Sequence, residues 1–212
     1  MNTDSSKAKP DIERVIKALY KNHMTGYFAD SKKALFQLLL TFIPDGSTVG
    51  CGDSVSLEEL GVFDYLRKRD IQFLDKFEPS LKREEKQEIY RKNFYADTFI
   101  TGTNAVTLDG KLFNIDGNGS RVAPMLYGPR QVIVVAGINK IVKDTEEAVK
   151  RARQTAAPLD AKRLHKATPC TVLDRCIDCS HKERICNDFV LIAGQFDENR
   201  IKVIFVDGDF GY

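Results

Sequence analysis

Four of the five cysteines lie in one short segment with the spacing Cys170-x5-Cys176-x2-Cys179-x6-Cys186. Two thiolates that are two residues apart can bind one metal centre from a single turn, and the flanking cysteines would complete a shell of four sulfurs. Six of the residues between them are charged, so the segment has little apolar material with which to fold. We therefore predict a metal site within residues 168–187, where His181 could replace one thiolate.

The spacing leaves the identity of the metal open. A structural zinc site usually joins two close pairs of ligands, whereas this segment has one, and no proline follows the last cysteine as in bacterial ferredoxins. The uneven spacing slightly favours an iron–sulfur cluster over zinc. Reduced structural thiols are an alternative, and disulfides are disfavoured because the absence of an export signal points to a reducing compartment.

Four loops rich in small and polar residues could bind an anion. They are Gly50-Cys51-Gly52-Asp53-Ser54, Thr101-Gly102-Thr103-Asn104, Asp116-Gly117-Asn118-Gly119-Ser120-Arg121 and Gly137-Ile138-Asn139-Lys140. Each loop follows a predicted strand, and open α/β sheets bind ligands beyond the carboxyl ends of their strands. Glycines let backbone amides approach an anion, while Arg121 and Lys140 would neutralise it. We predict one shared crevice for a small anionic ligand.

Within this crevice, Asp53 and Asp116 are the candidate catalytic acids or bases. The candidate ligand-binding residues are Gly50, Gly52, Asp53, Ser54, Gly102, Thr103, Asn104, Asn118, Gly119, Arg121, Asn139 and Lys140. The first loop matches neither the dinucleotide fingerprint nor the P-loop, so a plain glycine turn is the alternative. Arg121 could likewise be a solvated residue at the end of a hairpin.

Nucleophilic catalysis has weaker support. Cys51 could be activated by the helix that follows it, but a cysteine at the end of a strand is more often a small buried hydrophobe. His23, His165 and His181 lie on predicted helices or loops away from the strand ends. Surface or structural roles are therefore expected for these histidines.

The elements that must position these loops alternate between strands and helices. Strands are predicted at residues 47–51, 71–74, 97–101 and 131–136, and helices at 11–22, 31–42, 80–95 and 144–157. A further helix should begin at the capping box Ser56-Leu57-Glu58-Glu59, and Pro158 should end the helix before it. This order predicts a Rossmann-like α/β fold with a mostly parallel sheet flanked by helices.

Two antiparallel pairs are also predicted. Asn104 to Leu108 and Lys111 to Ile115 flank Asp109-Gly110, a dipeptide suited to a two-residue hairpin, so a β-hairpin insertion is expected. After the cysteine-rich segment, Phe189 to Ala193 and Ile201 to Val206 are typical of a terminal antiparallel pair.

Composition limits the classes of partner. The 212 residues are 42% hydrophobic, which suits a single α/β domain over residues 1–212. Residues 1–10 of this domain are expected to form a polar tail. The formal net charge is only +2, and no basic block is long enough to follow a nucleic acid backbone. The longest apolar run, Ala34 to Ile43, is too short to span a membrane, so we expect a cytoplasmic protein. Homo-oligomerisation stays open.

Several of these motifs together resemble the LUD-domain family, named for lactate utilisation. The segments that carry the resemblance are residues 101–112, 114–123, 127–130 and 137–142, together with Gly50-Cys51-Gly52-Asp53-Ser54 and the cysteine segment. The resemblance extends over nearly the whole chain, and the cysteine segment is similar to that of one anaerobe-rich branch. The resemblance implies a fold like that of ribose-5-phosphate isomerase, glucosamine-6-phosphate deaminase and coenzyme A transferases. It also implies that the loops beginning at Gly50 and Gly102 supply the first pocket residues.

Some members of this family are associated with oxidation of lactate to pyruvate alongside iron–sulfur partner proteins. The first functional hypothesis is therefore a protein of lactate or related organic-acid metabolism that binds a small anion and passes electrons through a cysteine-bound cluster. The second is an isomerase or transferase acting on a phosphosugar or coenzyme A ester, with a structural metal. The third is a non-catalytic subunit that senses a metabolite and docks a redox partner.

Overall fold

The computed structural model of this protein describes residues 5–212, with side chains described from Ile12 onward. Its strands are β1 (Thr25–Ala29), β2 (Thr48–Cys51), β3 (Gln72–Phe73), β4 (Thr98–Thr101), β5 (Ala105–Thr107), β6 (Leu112–Asp116), β7 (Gln131–Gly137), β8 (Ile141–Val142), β9 (Asp188–Ile192) and β10 (Ile201–Val206). Six of them form a fully parallel sheet in the order β1-β10-β7-β4-β2-β3. The other four form a smaller sheet in the order β8-β5-β6-β9. The predicted α/β class is confirmed.

The α-helices of the described chain cover both faces of the larger sheet. They are α1 (Ser5–Lys21), α2 (Lys32–Phe42), α3 (Val55–Glu59), α4 (Val62–Arg67), α5 (Arg83–Lys92), α6 (Val122–Leu126), α7 (Thr145–Arg151), α8 (Ala157–Arg163) and α9 (Cys170–Leu173). Short 3₁₀ turns lie at Asn93–Tyr95 and Ile138–Lys140, and a π-helical turn, Ala152–Ala156, joins α7 to α8.

Strand β7 lies at the centre of the core. Its Val132 and Val134 pack with residues of α1 on one face, whereas Ile133 and Val135 pack with residues of α2, α3 and α4 on the other. A strand buried on both faces has no need of polar residues, which explains the unbroken apolar run of its sequence. Because β7 is held by packing on both faces, the loop that follows it begins at a fixed position at the carboxyl edge of the sheet.

The hairpin of β5 and β6 is confirmed as an antiparallel pair. Gly110 in its turn has a φ of +79°, a left-handed conformation that favours glycine. A Cβ atom there would also come within 2.6 Å of the backbone carbonyl carbon of Ala18 in α1. The hairpin is thus pressed against the first helix and continues the core of the larger sheet.

The predicted antiparallel pairing of the last two strands is wrong. Strand β9 pairs instead with β6 in the smaller sheet, and β10 lies between β1 and β7 in the larger one. The burial of the two strands explains this difference, because β10 is buried at nearly every position whereas β9 is mostly exposed or half-buried. Strand β1, which the sequence analysis did not predict, supplies the parallel partner at the edge.

Three helix boundaries differ from those predicted. Helix α1 begins at Ser5 rather than near Asp11, which shortens the predicted polar tail, and residues 1–4 lie outside the described part of the chain. Helix α3 is capped by Ser54, whose Oγ accepts a hydrogen bond from the amide of Leu57 at 3.3 Å, so the predicted cap at Ser56 is wrong. Pro158 does not end its helix, because it falls in the first turn of α8, where a proline is tolerated.

Candidate functional site

A large cavity opens at the carboxyl ends of β2, β4 and β7. Its volume is about 720 Å³, which is within the usual range for small-molecule sites. The predicted residues that line it are Asp53, Ser54, Gly102, Thr103, Asn104, Asp116, Asn118, Arg121 and Lys140. Four predicted ligand-binding residues, Gly50, Gly52, Gly119 and Asn139, do not line it. The structure therefore brings residues of all four predicted loops to one place.

Cations dominate the charged lining of this cavity. The positively charged side chains are Lys76, Arg83, Arg121, Lys140, Arg163, Lys166, Lys182 and Arg184, against the carboxylates Asp53, Asp116, Asp160 and Glu183. A cleft lined mainly by one sign of charge concentrates the opposite charge within it. The lining therefore suits an anionic ligand.

Arg121 is held by acceptors on two of the loops. Its guanidinium donates to Oδ1 of Asn114 and to the carbonyl of Ile115, both at 2.6 Å. Longer hydrogen bonds reach Oδ1 of Asn104 at 3.3 Å and the carbonyl of Gly102 at 3.5 Å. Arg121 thus connects the loops after β4 and β6, and adds positive charge to the cavity wall while several of its N–H groups are already engaged.

Asp116 has a structural set of partners. Its carboxylate accepts hydrogen bonds from the backbone amides of Gly117 at 2.9 Å, Arg121 at 3.0 Å and Val122 at 3.1 Å. Both of its oxygens are therefore used to hold the turn that leads into α6. Of the two predicted acid or base residues, Asp53 is the one less committed to the backbone.

Asp53 forms an ion pair across the cavity wall. Its Oδ2 accepts from Nη2 of Arg163 at 2.9 Å, and the same guanidinium contacts Oδ1 of Asp160. Burial raises the pKa of the Asp160 carboxyl, although Arg163 opposes this shift. Arg163 and Asp160 were missed by the sequence analysis because the helix that carries them was predicted to end at Pro158.

Lys140 is almost completely buried, with 4% of its surface exposed. Its Nζ donates to the carbonyl oxygens of Tyr212 at 2.8 Å and Thr103 at 3.3 Å. Burial, together with the nearby charges of Arg151 and Arg121, lowers the pKa of Lys140 to about 7. The charge of this cavity residue is therefore sensitive to pH near neutrality.

Asn139, next to Lys140, holds the last residues of the chain rather than the cavity. Its Nδ2 donates to the carbonyl of Gly211 at 3.1 Å, and its Oδ1 accepts from the amide of Phe210 at 3.4 Å. These bonds fix the segment that places Tyr212 on the cavity wall. Asn139 supports the site from outside.

Lys76 was also not predicted, although it follows a strand as the residues of the predicted loops do. It follows β3 closely, as the other loops follow their strands, and it lines the cavity. Only 8% of its surface is exposed, and burial lowers its pKa. The rule that residues after strands form the site would have found Lys76 had it been applied to the strand at 71–74.

The glycines of the first two loops permit close packing between loops. A Cβ atom on Gly52 would overlap the hydroxyl of Thr101 and lie 2.9 Å from Cγ of Arg121, and one on Gly102 would overlap Oγ of Ser54. Larger residues would push these segments apart. The glycines thus shape the cavity by letting its walls meet, whether or not their amides also contact a ligand.

Cys51 is a core residue in this structure. It is 1% exposed and packs in the apolar cluster on the α2 face of the sheet. Burial raises the pKa of its thiol to about 12, which keeps the sulfur protonated. A protonated, inaccessible thiol is a poor nucleophile, so the buried-hydrophobe interpretation fits this environment.

The four clustered cysteines are separate, half-buried free thiols. Within the described part of the chain, no three His, Cys, Asp or Glu side chains are placed to share a metal ion. The Sγ of Cys176 accepts from Nη2 of Arg153 at 3.6 Å, and that of Cys170 lies 3.3 Å from Oγ1 of Thr168. The donor set suits zinc or an iron–sulfur cluster, but the thiols would have to move together to bind either.

The cysteine-rich segment also forms part of the cavity. Its residues Lys182, Glu183, Arg184 and Ile185 line the opening, while no side chain between Cys170 and Cys186 is buried. His181 contacts its own segment, because its Nδ1 accepts from the amide of Glu183 at 3.2 Å. A change in the folding of this segment would therefore change the cavity wall.

No helix of the described residues has the length and apolar character needed to cross a membrane.

Comparison with known proteins gives a family and several distant likenesses. No curated protein matches the chain. A DUF162 family protein from Deinococcus radiodurans is similar over 98% of this chain and 100% of its own, with 14% identity and a TM-score of 0.48. Ribose 5-phosphate isomerase from Plasmodium falciparum is similar over 53% of this chain and 52% of its own, with 14% identity and a TM-score of 0.32. The beta subunit of eIF2B from Chaetomium thermophilum is similar over 55% of this chain and 44% of its own, with 16% identity and a TM-score of 0.39.

A family model also matches most of the chain. The model of the LUD domain matches residues 12–206, which include every element from β1 to β10. The chain therefore belongs to the LUD-domain family.

Proposed function

We propose that this LUD-domain protein binds a small anionic metabolite of lactate or related organic-acid metabolism in the cavity at the carboxyl edge of its larger sheet. The observation that carries the proposal is the twofold excess of cationic over carboxylate side chains around one cavity. Family membership supports the metabolic context. In this role Lys140 and Arg121 supply positive charge, and Asp53 is the candidate acid or base for any chemistry on the ligand.

A thermal-shift screen tests this proposal directly, because a ligand that binds only the folded state raises its stability. The panel contains lactate, pyruvate, inorganic phosphate, a phosphosugar and coenzyme A, with the neutral lactamide as the control for lactate. We expect at least one anion to raise the melting temperature in a saturable way while lactamide does not. Equal shifts with neutral and charged compounds, or no shift with any anion, would contradict the proposal.

The size of the cavity favours one alternative. A volume of about 720 Å³ is much larger than a three-carbon acid needs, and it would accommodate a phosphosugar or part of a coenzyme A ester. The alternative is therefore an isomerase or transferase acting on such a compound. Stronger stabilisation by a phosphosugar or coenzyme A than by lactate would favour the isomerase or transferase. Saturable binding of a ligand that is not converted would favour a metabolite-sensing subunit.

We also propose that the cysteine-rich segment binds an iron–sulfur cluster or zinc through Cys170, Cys176, Cys179 and Cys186. Support comes from their spacing, from their free and half-buried thiols, and from a surrounding segment that has no buried side chain of its own. When bound, an iron–sulfur cluster would supply one-electron transfer to redox partner proteins. Purification without oxygen, followed by metal analysis and visible spectra before and after reduction, distinguishes the two metals. Stoichiometric zinc in a colourless protein would exclude the cluster, and an absence of both metals after anaerobic reconstitution would overturn the site.

A further inference from the structure

Lys76 differs from Lys140, the other buried lysine of the cavity, in making no hydrogen bond or ion pair within the described part of the chain. It lies between β3 and α5, and only 8% of its surface is exposed. Its Nζ lies 5.1 Å from the ring centre of Phe77 and 5.5 Å from that of Tyr90. These rings flank the ammonium, and Tyr90 lines the cavity beside it.

Lys140 and Arg163, by contrast, have polar partners. Lys140 donates to two carbonyl oxygens, and Arg163 pairs with Asp53 and Asp160. Among the described residues, no hydrogen bond or ion pair reaches Nζ of Lys76. The faces of Phe77 and Tyr90 stabilise the ammonium only in part, so its N–H groups are available to a hydrogen-bond acceptor that enters the cavity.

The carboxylates near Lys76 are already engaged elsewhere. Asp53 and Asp116 both raise its pKa through their charge, but Asp53 is paired with Arg163 and Asp116 is held by three backbone amides. Cys51 beneath it is a protonated thiol. The side chains around Lys76 therefore leave room for one more negative group, and the cavity gives that group a way in.

We propose that Lys76 binds the negatively charged oxygen of the ligand, a carboxylate or phosphate oxygen, at the wall between Phe77 and Tyr90. This inference rests on the proposed anion-binding function and assigns it a residue that neither the family match nor the predicted loops named. The ammonium lies over both rings in a buried part of the wall, where low solvent exposure strengthens a charge-assisted hydrogen bond. Arg121, whose charge also reaches Lys76, adds to the attraction for an anion.

The test compares three variants in the same ligand titrations. Lys76→Gln removes the charge, Lys76→Arg keeps it, and Lys182→Gln removes a cation from the exposed rim of the same cavity. The probes are sodium lactate and sodium pyruvate for a carboxylate and inorganic phosphate for a phosphate. Whichever probe binds the wild type, we expect Lys76→Gln to weaken it about tenfold or more, Lys76→Arg to retain most affinity, and Lys182→Gln to lose less than about fivefold.

A second measurement separates binding from a purely structural role. Because the ammonium of Lys76 makes no hydrogen bond or ion pair with any described residue of the ligand-free protein, Lys76→Gln should leave the ligand-free melting temperature nearly unchanged or higher. A large loss of stability with undiminished affinity would overturn the inference. Equal affinity of Lys76→Gln and the wild type would overturn it while leaving the proposed function intact, whereas a wild type that binds none of the anions would overturn both.

Discussion

Nη2 of Arg163 lies 2.9 Å from Oδ2 of Asp53, although the two residues are 110 positions apart in the chain. The contact joins α8 to the loop after β2, and so holds these two parts of the cavity lining together. Asp160, one turn before Arg163, accepts from the same guanidinium. A single arginine thus holds two carboxylates of the cavity in place.

Replacing Arg163 with Met tests this arrangement. We expect Arg163→Met to lower the free energy of unfolding by about 1 kcal/mol, because the ion pairs are partly exposed and screened by solvent. Denaturant titration measures the change. The neighbouring Lys162→Met is the matched control, since Lys162 is exposed and pairs with the exposed Asp174. Equal effects of the two substitutions would show that the contact with Asp53 contributes nothing specific.

The contrast between local and long-range features explains what the sequence could predict. The hairpin around Gly110 and the apolar strand β7 are defined by residues close together in the chain, and both were predicted. The place of β10 between β1 and β7 depends on pairing with distant strands, and adjacency in sequence suggested the wrong partner. Most loops of the site were found by their position after strands.

The residues that were missed have individual physical reasons. Arg163 was not predicted as a site residue because a proline usually marks the end of a helix. Here the π-helical turn at Ala152–Ala156 precedes Pro158, and the helix continues beyond the proline as α8. Lys76 was not predicted as a site residue because the loop after β3 was not among the four predicted loops. The structural role of Asp116 could not be predicted, since it depends on backbone amides whose direction only the folded turn defines.

Lys140 should make stability depend on pH above neutrality. Its pKa is about 7 in the folded protein and near 10.5 in the unfolded chain, so between these values the unfolded state binds more protons. The free energy of unfolding should therefore rise from pH 7 toward pH 10 through this group, by an amount on the order of a few kcal/mol. Below pH 7 both states are protonated and the contribution is constant.

Comparing the wild type with Lys140→Met isolates that contribution, because other groups titrate equally in both proteins. The difference in their free energies of unfolding should change steadily between pH 7 and pH 10. The chemical denaturation of both proteins across this range provides the measurement. A difference that does not vary with pH would show that the ammonium of Lys140 is not perturbed by its burial.

The cysteine-rich segment should gain order when it binds metal. Because none of its side chains from Cys170 to Cys186 is buried, we expect it to be cut readily by protease in metal-free protein and to become resistant after reconstitution. Cys179→Ser should abolish both the bound metal and the protection. Cys51→Ala is the control, since Cys51 is buried in the main core and should leave the metal content unchanged. Retained metal in Cys179→Ser would remove that thiol from the ligand set.

The close approach of the first two loops predicts the effect of adding a methyl group at Gly52. Gly52→Ala would force its Cβ against the hydroxyl of Thr101 and the side chain of Arg121, and overpacking of this kind costs about 1–3 kcal/mol. Because Arg121 connects two loops of the cavity wall, we expect the substitution to reduce anion affinity as well as stability. Gly117→Ala is the control: it also lies on the cavity wall, but its added Cβ would meet only ordinary contacts at 3.5 Å and beyond. Denaturant titration and the thermal-shift assay measure the two effects, and similar losses in both variants would mean that tight packing at Gly52 does not shape the site.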